Sequence, residues 1–201
     1  MRLPQPALDA HEYLQREARV DQRYEFVNGQ AYPLSSGTLQ HGQLITRILG
    51  HAFNAAERHP RCNVLTQSVK LHVPARNSFY YPDVMVTCEP VFREQDIVRA
   101  PCCVVEVLSP STANIDRREK RIAYMTLGSL EQYLVVDQSR MRADVYWRAE
   151  SGWNLSILRE PEQIVEISCL DCTFTLQQLY EGVDLPLRVA EEEPEEEWLT
   201  A

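Results

Sequence analysis

Three side chains, Asp83, Glu106 and Lys120, carry the chemistry that this sequence can offer. Glu106 interrupts an otherwise apolar run from Cys102 to Leu108, bounded by Pro101 and Pro110. A run of that length, rich in β-branched residues, reads as a strand buried on both faces. A carboxylate there is costly unless something pairs with it. The run stops at Ser109-Pro110, and the polar helix that follows contains Lys120. Upstream, Pro82-Asp83-Val84-Met85-Val86 sets a second acid at the head of another apolar strand. If the two strands are neighbours, Asp83 and Glu106 converge on one cation. A small set of hard oxygen ligands with open positions suits Mg²⁺ or Mn²⁺. Such an ion polarises a phosphoryl oxygen and lowers the pKa of an attacking water, while Lys120 orients that water or stabilises developing charge. Glu25, on an early hairpin, is a further acidic candidate. Each residue also has a plainer reading. Asp83 suits a hydrogen bond at strand entry, Glu106 a buried pair with an arginine, and Lys120 an i, i+4 pair with Asp116.

The elements that must position these groups are legible in outline. Ala7 to Val20 reads as an amphipathic helix with Asp9 as its cap, and Arg23 to Tyr32 as a hairpin turning at Asn28-Gly29. Thr38 to Glu57 has helical spacing, with His41 in its first turn, and Cys62 to Val73 reads as one strand. Glu89 to Ala100 reads as a loop. A helix capped by Thr112 or Asn114 runs to Leu127 and closes at Gly128. On it Asp116, Lys120, Ala123 and Leu127 share one face, so Lys120 is expected to point at the sheet. Gln132 to Asp137 is a third apolar strand. Arg142 to Arg148 and Trp153 to Arg159 form an antiparallel pair, Ile164 to Ser168 a short strand, and Thr175 to Tyr180 a last helical turn. This order indicates an α/β domain with a mixed central sheet flanked by helices.

Composition narrows the setting. The chain of 201 residues has a net charge of −9, but Glu191–Glu193 and Glu195–Glu197 supply six of its acidic charges. Residues 1–189 are expected to form one domain, and 190–201 an acidic, disordered tail. No apolar run is long enough to cross a membrane, and Met1 to Val20 lacks a basic-then-apolar leader, so a cytoplasmic protein is expected. The six cysteines then read as packing thiols rather than disulfides, and Cys169-Leu-Asp-Cys172 as structural cysteine rather than a zinc or redox motif. Of the 20 basic residues only Lys70 and Lys120 are lysines. In so Arg-biased a chain, a retained lysine hints that a compact ammonium is wanted there.

Several segments occur in the order of a known family: Tyr24-Glu25-Phe26-Val27-Asn28-Gly29, His41, and Tyr81-Pro82-Asp83-Val84-Met85-Val86-Thr87-Cys88. So do Val105-Glu106-Val107-Leu108-Ser109-Pro110-Ser111-Thr112, Asp116 to Lys120, and Ser129 to Asp137. From about Ala7 to Val183 the chain resembles a large bacterial family of endonuclease-like proteins, expanded in cyanobacteria, with the restriction-endonuclease-like PD-(D/E)XK fold. The resemblance implies that Asp83 and Glu106 bind Mg²⁺ (or Mn²⁺), that the Val107 carbonyl is an extra ligand, and that Lys120 assists catalysis. A strict motif would place the lysine at position 108, which is Leu108; the resemblance takes it from the following helix instead. Asn28 and Gln30 stand where the family's hairpin would carry acids. The implied function is hydrolysis of DNA phosphodiester bonds by a homodimer. The rival reading is a nucleic-acid-binding or regulatory module that keeps the fold without catalysis.

Overall fold

The computed structural model describes residues 8–34, 37–90, 96–108 and 113–185, without the side chains of 113–117. The Thr112 or Asn114 cap, the Asp116 pair, the end of the domain at 189 and the acidic tail lie outside the described residues. The chain opens with helix α1 (Ala10–Glu17), whose N-cap Asp9 accepts a hydrogen bond from the Glu12 amide at 2.7 Å. Strands β1 (Tyr24–Val27) and β2 (Gln30–Pro33) form the expected hairpin. Its turn places both Asn28 (φ 46°) and Gly29 (φ 91°) in the left-handed region that this residue pair tolerates. Helix α2 (Leu39–Ala56), capped by Thr38, buries Leu44, Ile48, Ala52 and Ala55 along one stripe.

The stretch from Cys62 to Val73 is not one strand. It splits into β3 (Asn63–Thr66) and β4 (Lys70–Val73), which belong to different sheets. The apolar spacing carries the reason: Val64 and Val69 are an odd number of residues apart, so a straight strand would point them to opposite faces. A turn at Gln67-Ser68 lets the chain leave one sheet for the other. Strands β5 (Ser78–Tyr80) and β6 (Val84–Thr87) follow. The expected loop from Glu89 contains a short strand, β7 (Ile97–Val98), lying parallel to β4.

The central sheet has six strands in the order β11-β10-β9-β8-β6-β3, with β8 (Cys103–Leu108), β9 (Gln132–Asp137), β10 (Ala143–Ala149) and β11 (Gly152–Leu158). It is mixed: β8 and β9 are parallel, and the other neighbours antiparallel. Helix α3 (Ala113–Tyr124) is the crossover between the parallel pair; it stops at Tyr124 rather than at Leu127. Beside this sheet lies a second one the sequence reading missed, ordered β2-β1-β5-β4-β7. Strands β12 (Ile164–Ile167) and β13 (Cys172–Thr175) form a third, two-stranded sheet, followed by helix α4 (Leu176–Tyr180) with a Thr175–Gln178 capping box. No described helix is long and apolar enough to cross a membrane.

Alternation along β8 assigns its residues to two cores. Cys103, Val105 and Val107 pack with α2, β12, β13 and α4, whereas Val104 and Leu108 pack with Tyr124, Leu127, Tyr133 and the second sheet. A third, small core stacks Tyr13 of α1 on Phe26, with Phe79 beside them. The expectation of packing thiols holds for Cys103 and Cys172, which are buried and free. It fails for the other four, which form the bridges Cys62–Cys88 and Cys102–Cys169. Composition suggested reduced thiols; the folded chain brings these sulfurs together.

Leu134, 1% exposed at the centre of β9, fills the larger core, whereas Leu39 at the start of α2 is 74% exposed. We expect Leu134→Ala to cost about 2–5 kcal/mol by loss of contacts and a residual cavity. Leu39→Ala should stay within about 0.5 kcal/mol. Urea unfolding followed by circular dichroism checks both.

Candidate active site

Parity and register bring the acids together. Glu106 alternates with Val104 and Leu108, so it faces α3 and the second sheet rather than α2. Strands β6 and β8 pair antiparallel with Val84 opposite Val105 and Met85 opposite Val104. That register leaves Asp83 and Glu106 as the next residues on two adjacent strands. Both are buried, at 4% and 7% exposure. Asp83 Oδ2 accepts the backbone N–H of Val107 at 2.6 Å and lies 3.3 Å from His41 Nε2; its Oδ1 accepts from the Gln67 amide. So Pro82 marks the strand entry, and the carboxylate that follows reaches across to the backbone of β8.

Lys120 projects from α3 between two glutamates. Its Nζ lies 2.9 Å from Glu25 Oε1 and 3.3 Å from Glu106 Oε1. Glu25, on β1 of the second sheet, also accepts the Tyr81 amide at 3.2 Å. The lysine thus ties the hairpin, the crossover helix and the central strand together, and it is buried, as its place on the Ala123–Leu127 stripe led one to expect. The arginine partner considered for Glu106 is in fact this lysine. Tyr124, one turn after Lys120, donates its hydroxyl to Glu106 Oε1 at 2.7 Å. Its ring is held edge-on between Tyr80 and Tyr133, at 5.2 and 5.4 Å. Lys70, the other lysine, is placed in the same manner, 3.1 Å from Glu17 Oε2, with Tyr81 donating to the other oxygen of that glutamate at 2.8 Å. Both lysines of the chain are therefore embedded among carboxylates, where a point charge is needed.

The electrostatics are those of a buried acidic cluster in which, among the described residues, carboxylates outnumber cations. Burial pushes Glu106 up to about 8; Lys120 pulls it down, the charges of Asp83 and Glu25 push it up, and the Tyr124 hydrogen bond pulls it down. Among the described residues, three carboxylates thus face one ammonium and one imidazole. Lys120 and Tyr124 both engage Oε1 of Glu106, and a carboxylate has a second oxygen to offer. Two hard carboxylates on adjacent strands fit a small divalent cation, which would offset the burial and the like charges that hold a proton on Glu106.

Of the residues singled out from sequence, Asp83, Glu106, Lys120 and Glu25 come together here, and Val107 contributes its N–H to Asp83. His41 joins them, although its position in a first turn said little. Gln67 and Tyr124 were missed. Tyr124 was findable, because it lies four residues after Lys120 on the same helical stripe. Gln67 was not, because its role depends on the turn between two sheets.

A pH effect follows from Glu106. Its folded-state value lies above the ordinary carboxylate range, so the native chain binds more protons than the unfolded one between roughly pH 4.3 and 8. Stability from this group is therefore greatest at acid pH and falls as pH rises through that window. Urea unfolding at pH 5, 6.5 and 8 should show this fall in the metal-free protein, and Glu106→Gln should flatten it.

Comparison with known proteins places this geometry. Residues 10–178 match the Uma2 family, described as "Putative restriction endonuclease". Two uncharacterized proteins of the cyanobacterium Synechocystis are 30% and 32% identical to the chain, over 90% and 80% of its length and 95% and 93% of theirs. A crystal structure described as a putative nuclease of the DUF820 group from Anabaena variabilis superposes with a TM-score of 0.73. It covers 87% of this chain and 98% of its own at 13% identity, and so shares the fold. With a restriction-endonuclease-like α/β fold and a family match over most of its described residues, the chain belongs to the Uma2 family of restriction-endonuclease-like proteins.

Proposed function

We propose that the chain is a Mg²⁺- or Mn²⁺-dependent endonuclease of the PD-(D/E)XK type that hydrolyses phosphodiester bonds in DNA. The observation that carries this reading is the pairing of Asp83 and Glu106 on adjacent strands, with Lys120 held 3.3 Å from Glu106. Asp83 and Glu106 would hold the ion, with the Val107 carbonyl as a third ligand. Bound there, the ion supplies a Lewis acid for the phosphoryl oxygen and a water of lowered pKa. Val107 N–H and His41 fix the orientation of the Asp83 carboxylate. Lys120 faces the reacting phosphate, where a fixed positive charge stabilises negative charge as it develops. Glu25 acts on Lys120: its carboxylate, held by the Tyr81 amide, fixes the ammonium beside Glu106. Tyr124 donates to Glu106 and limits its rotation. Two such sites related by a two-fold axis suit cleavage of both strands of a duplex, so the working unit in this reading is a homodimer.

Titration calorimetry with Mg²⁺ or Mn²⁺ tests the ion site, and repeating it with a DNA duplex allows phosphate oxygens to complete the coordination. Wild-type binding abolished by Asp83→Ala and by Glu106→Ala is the expected result; absence of binding even with DNA overturns the catalytic reading and leaves a binding module. Because Glu106 holds a proton near neutrality, ion binding should release protons and strengthen as pH rises from 6.5 to 8.5, measured in buffers of different ionisation enthalpy.

Lys120→Met, which keeps the apolar stem, should leave ion binding in place and lower the cleavage rate by about 10²–10³-fold. Glu25→Gln should give a smaller loss. Plasmid nicking followed by gel reads both, and thermal melts confirm that the variants fold.

A further inference from the structure

Four of the six cysteines converge at the end of the central sheet remote from the acids. Cys62 precedes β3, Cys88 follows β6, Cys102 precedes β8, and Cys169 lies in the 3-10 turn Ser168–Leu170 after β12. Because β3 and β6 pair with Asn63 opposite Thr87, Cys62 and Cys88 are the next residues on each strand, with Cα atoms 3.9 Å apart. The two disulfides touch: Cys88 Sγ lies 3.9 Å from Cys102 Sγ, the sulfurs of Cys88, Cys102 and Cys169 all lie within 4.8 Å of one another, and Cys62 joins this trio through its bond to Cys88. Two independent covalent staples need no such contact. Thiolates around a tetrahedral ion do, since a Zn–S bond of ≈ 2.3 Å sets ligand sulfurs about 3.8 Å apart, and Cys62, once freed from Cys88, is the fourth sulfur at hand. The two remaining cysteines, Cys103 and Cys172, are buried apart from this cluster and free.

We propose that, with its thiols reduced, the chain binds one zinc ion through Cys62, Cys88, Cys102 and Cys169. All four positions are filled by protein, so the site is closed and structural rather than catalytic. It would pin β3, β6, β8 and the β12–β13 hairpin at one point. Cys88 lies five positions after Asp83 and Cys102 four before Glu106, roughly 13–17 Å at the usual strand rise. The zinc site is therefore distinct from the acidic pocket. Reaching it from the disulfide form requires reduction. For each bridge, one phosphine takes up the oxygen of one water as its oxide, and that water's two protons with the phosphine's electron pair yield two thiols. Zinc then displaces four protons, one from each thiol.

The test uses the full chain, kept anaerobically with a phosphine reductant and titrated with Zn²⁺, or with Co²⁺ as a spectroscopic probe. The expected result is one equivalent bound, with a near-ultraviolet thiolate-to-cobalt charge-transfer band and strong visible absorption. Cys62→Ser, Cys88→Ser, Cys102→Ser and Cys169→Ser should each weaken binding by more than the about 10–100-fold that loss of a supporting contact costs. Cys172→Ala should leave the spectrum unchanged. Asp83→Ala and Glu106→Ala should bind Co²⁺ through sulfur like wild type, which separates this site from the nuclease reading. A reduced wild-type chain with no charge-transfer band and no retained zinc overturns the proposal, and so does peptide mapping that finds both disulfides intact after that reduction. The wild-type cobalt titration decides even where a serine variant fails to fold.

Discussion

The candidate site depends on one buried ammonium. Lys120 stands between Glu25 and Glu106, and each of the three comes from a different layer: the crossover helix, the second sheet and the central sheet. Removing one partner of a buried pair leaves an uncompensated charge, which is far more destabilising than loss of an exposed ion pair. The lysine therefore serves two ends. It holds the hairpin of β1 and β2 against the central sheet, and its charge offsets part of the burial that raises Glu106 to about 8.

Around that contact the fold supplies rigidity. Tyr124 is wedged between Tyr80 and Tyr133, so the hydroxyl it offers to Glu106 cannot drift. Asp83 is fixed by the amide of Val107, the residue next to the other acid, so the spacing of the two carboxylates is set by strand pairing rather than by flexible side chains. Two carboxylates placed in this way are preorganised; the cost is burial, which together with the charges of Asp83 and Glu25 raises the pKa of Glu106. Membership of the Uma2 family, and a fold shared with the Anabaena protein at only 13% identity, fit this picture. Few of the aligned side chains need be the same, because strand register does most of the positioning.

Much of this was legible in the residues. The Asn28-Gly29 turn, the Thr38 cap, and the apolar runs of β8 and β9 announce themselves through local rules. The Lys120–Ala123 stripe likewise told that Lys120 is buried, as it is at 7% exposure. The second sheet was not legible. Its strands are short, three of them flank turns that look like loops, and the break at Gln67-Ser68 is only a change of parity. Strand β12 was legible as a short strand, but its partner β13 escaped for the same reason.

The sequence by itself determined which residues could do chemistry and on which face of each element they stand, because strand and helix periodicity are local properties of the chain. Only the tertiary structure decided who meets whom. Glu25 reaches Lys120, His41 reaches Asp83, and four cysteines from positions 62 to 169 reach one another because strand register and the packing of two sheets bring distant segments together. Local spacing carries no record of those contacts, since the free energy that selects them arises from burial across the whole domain.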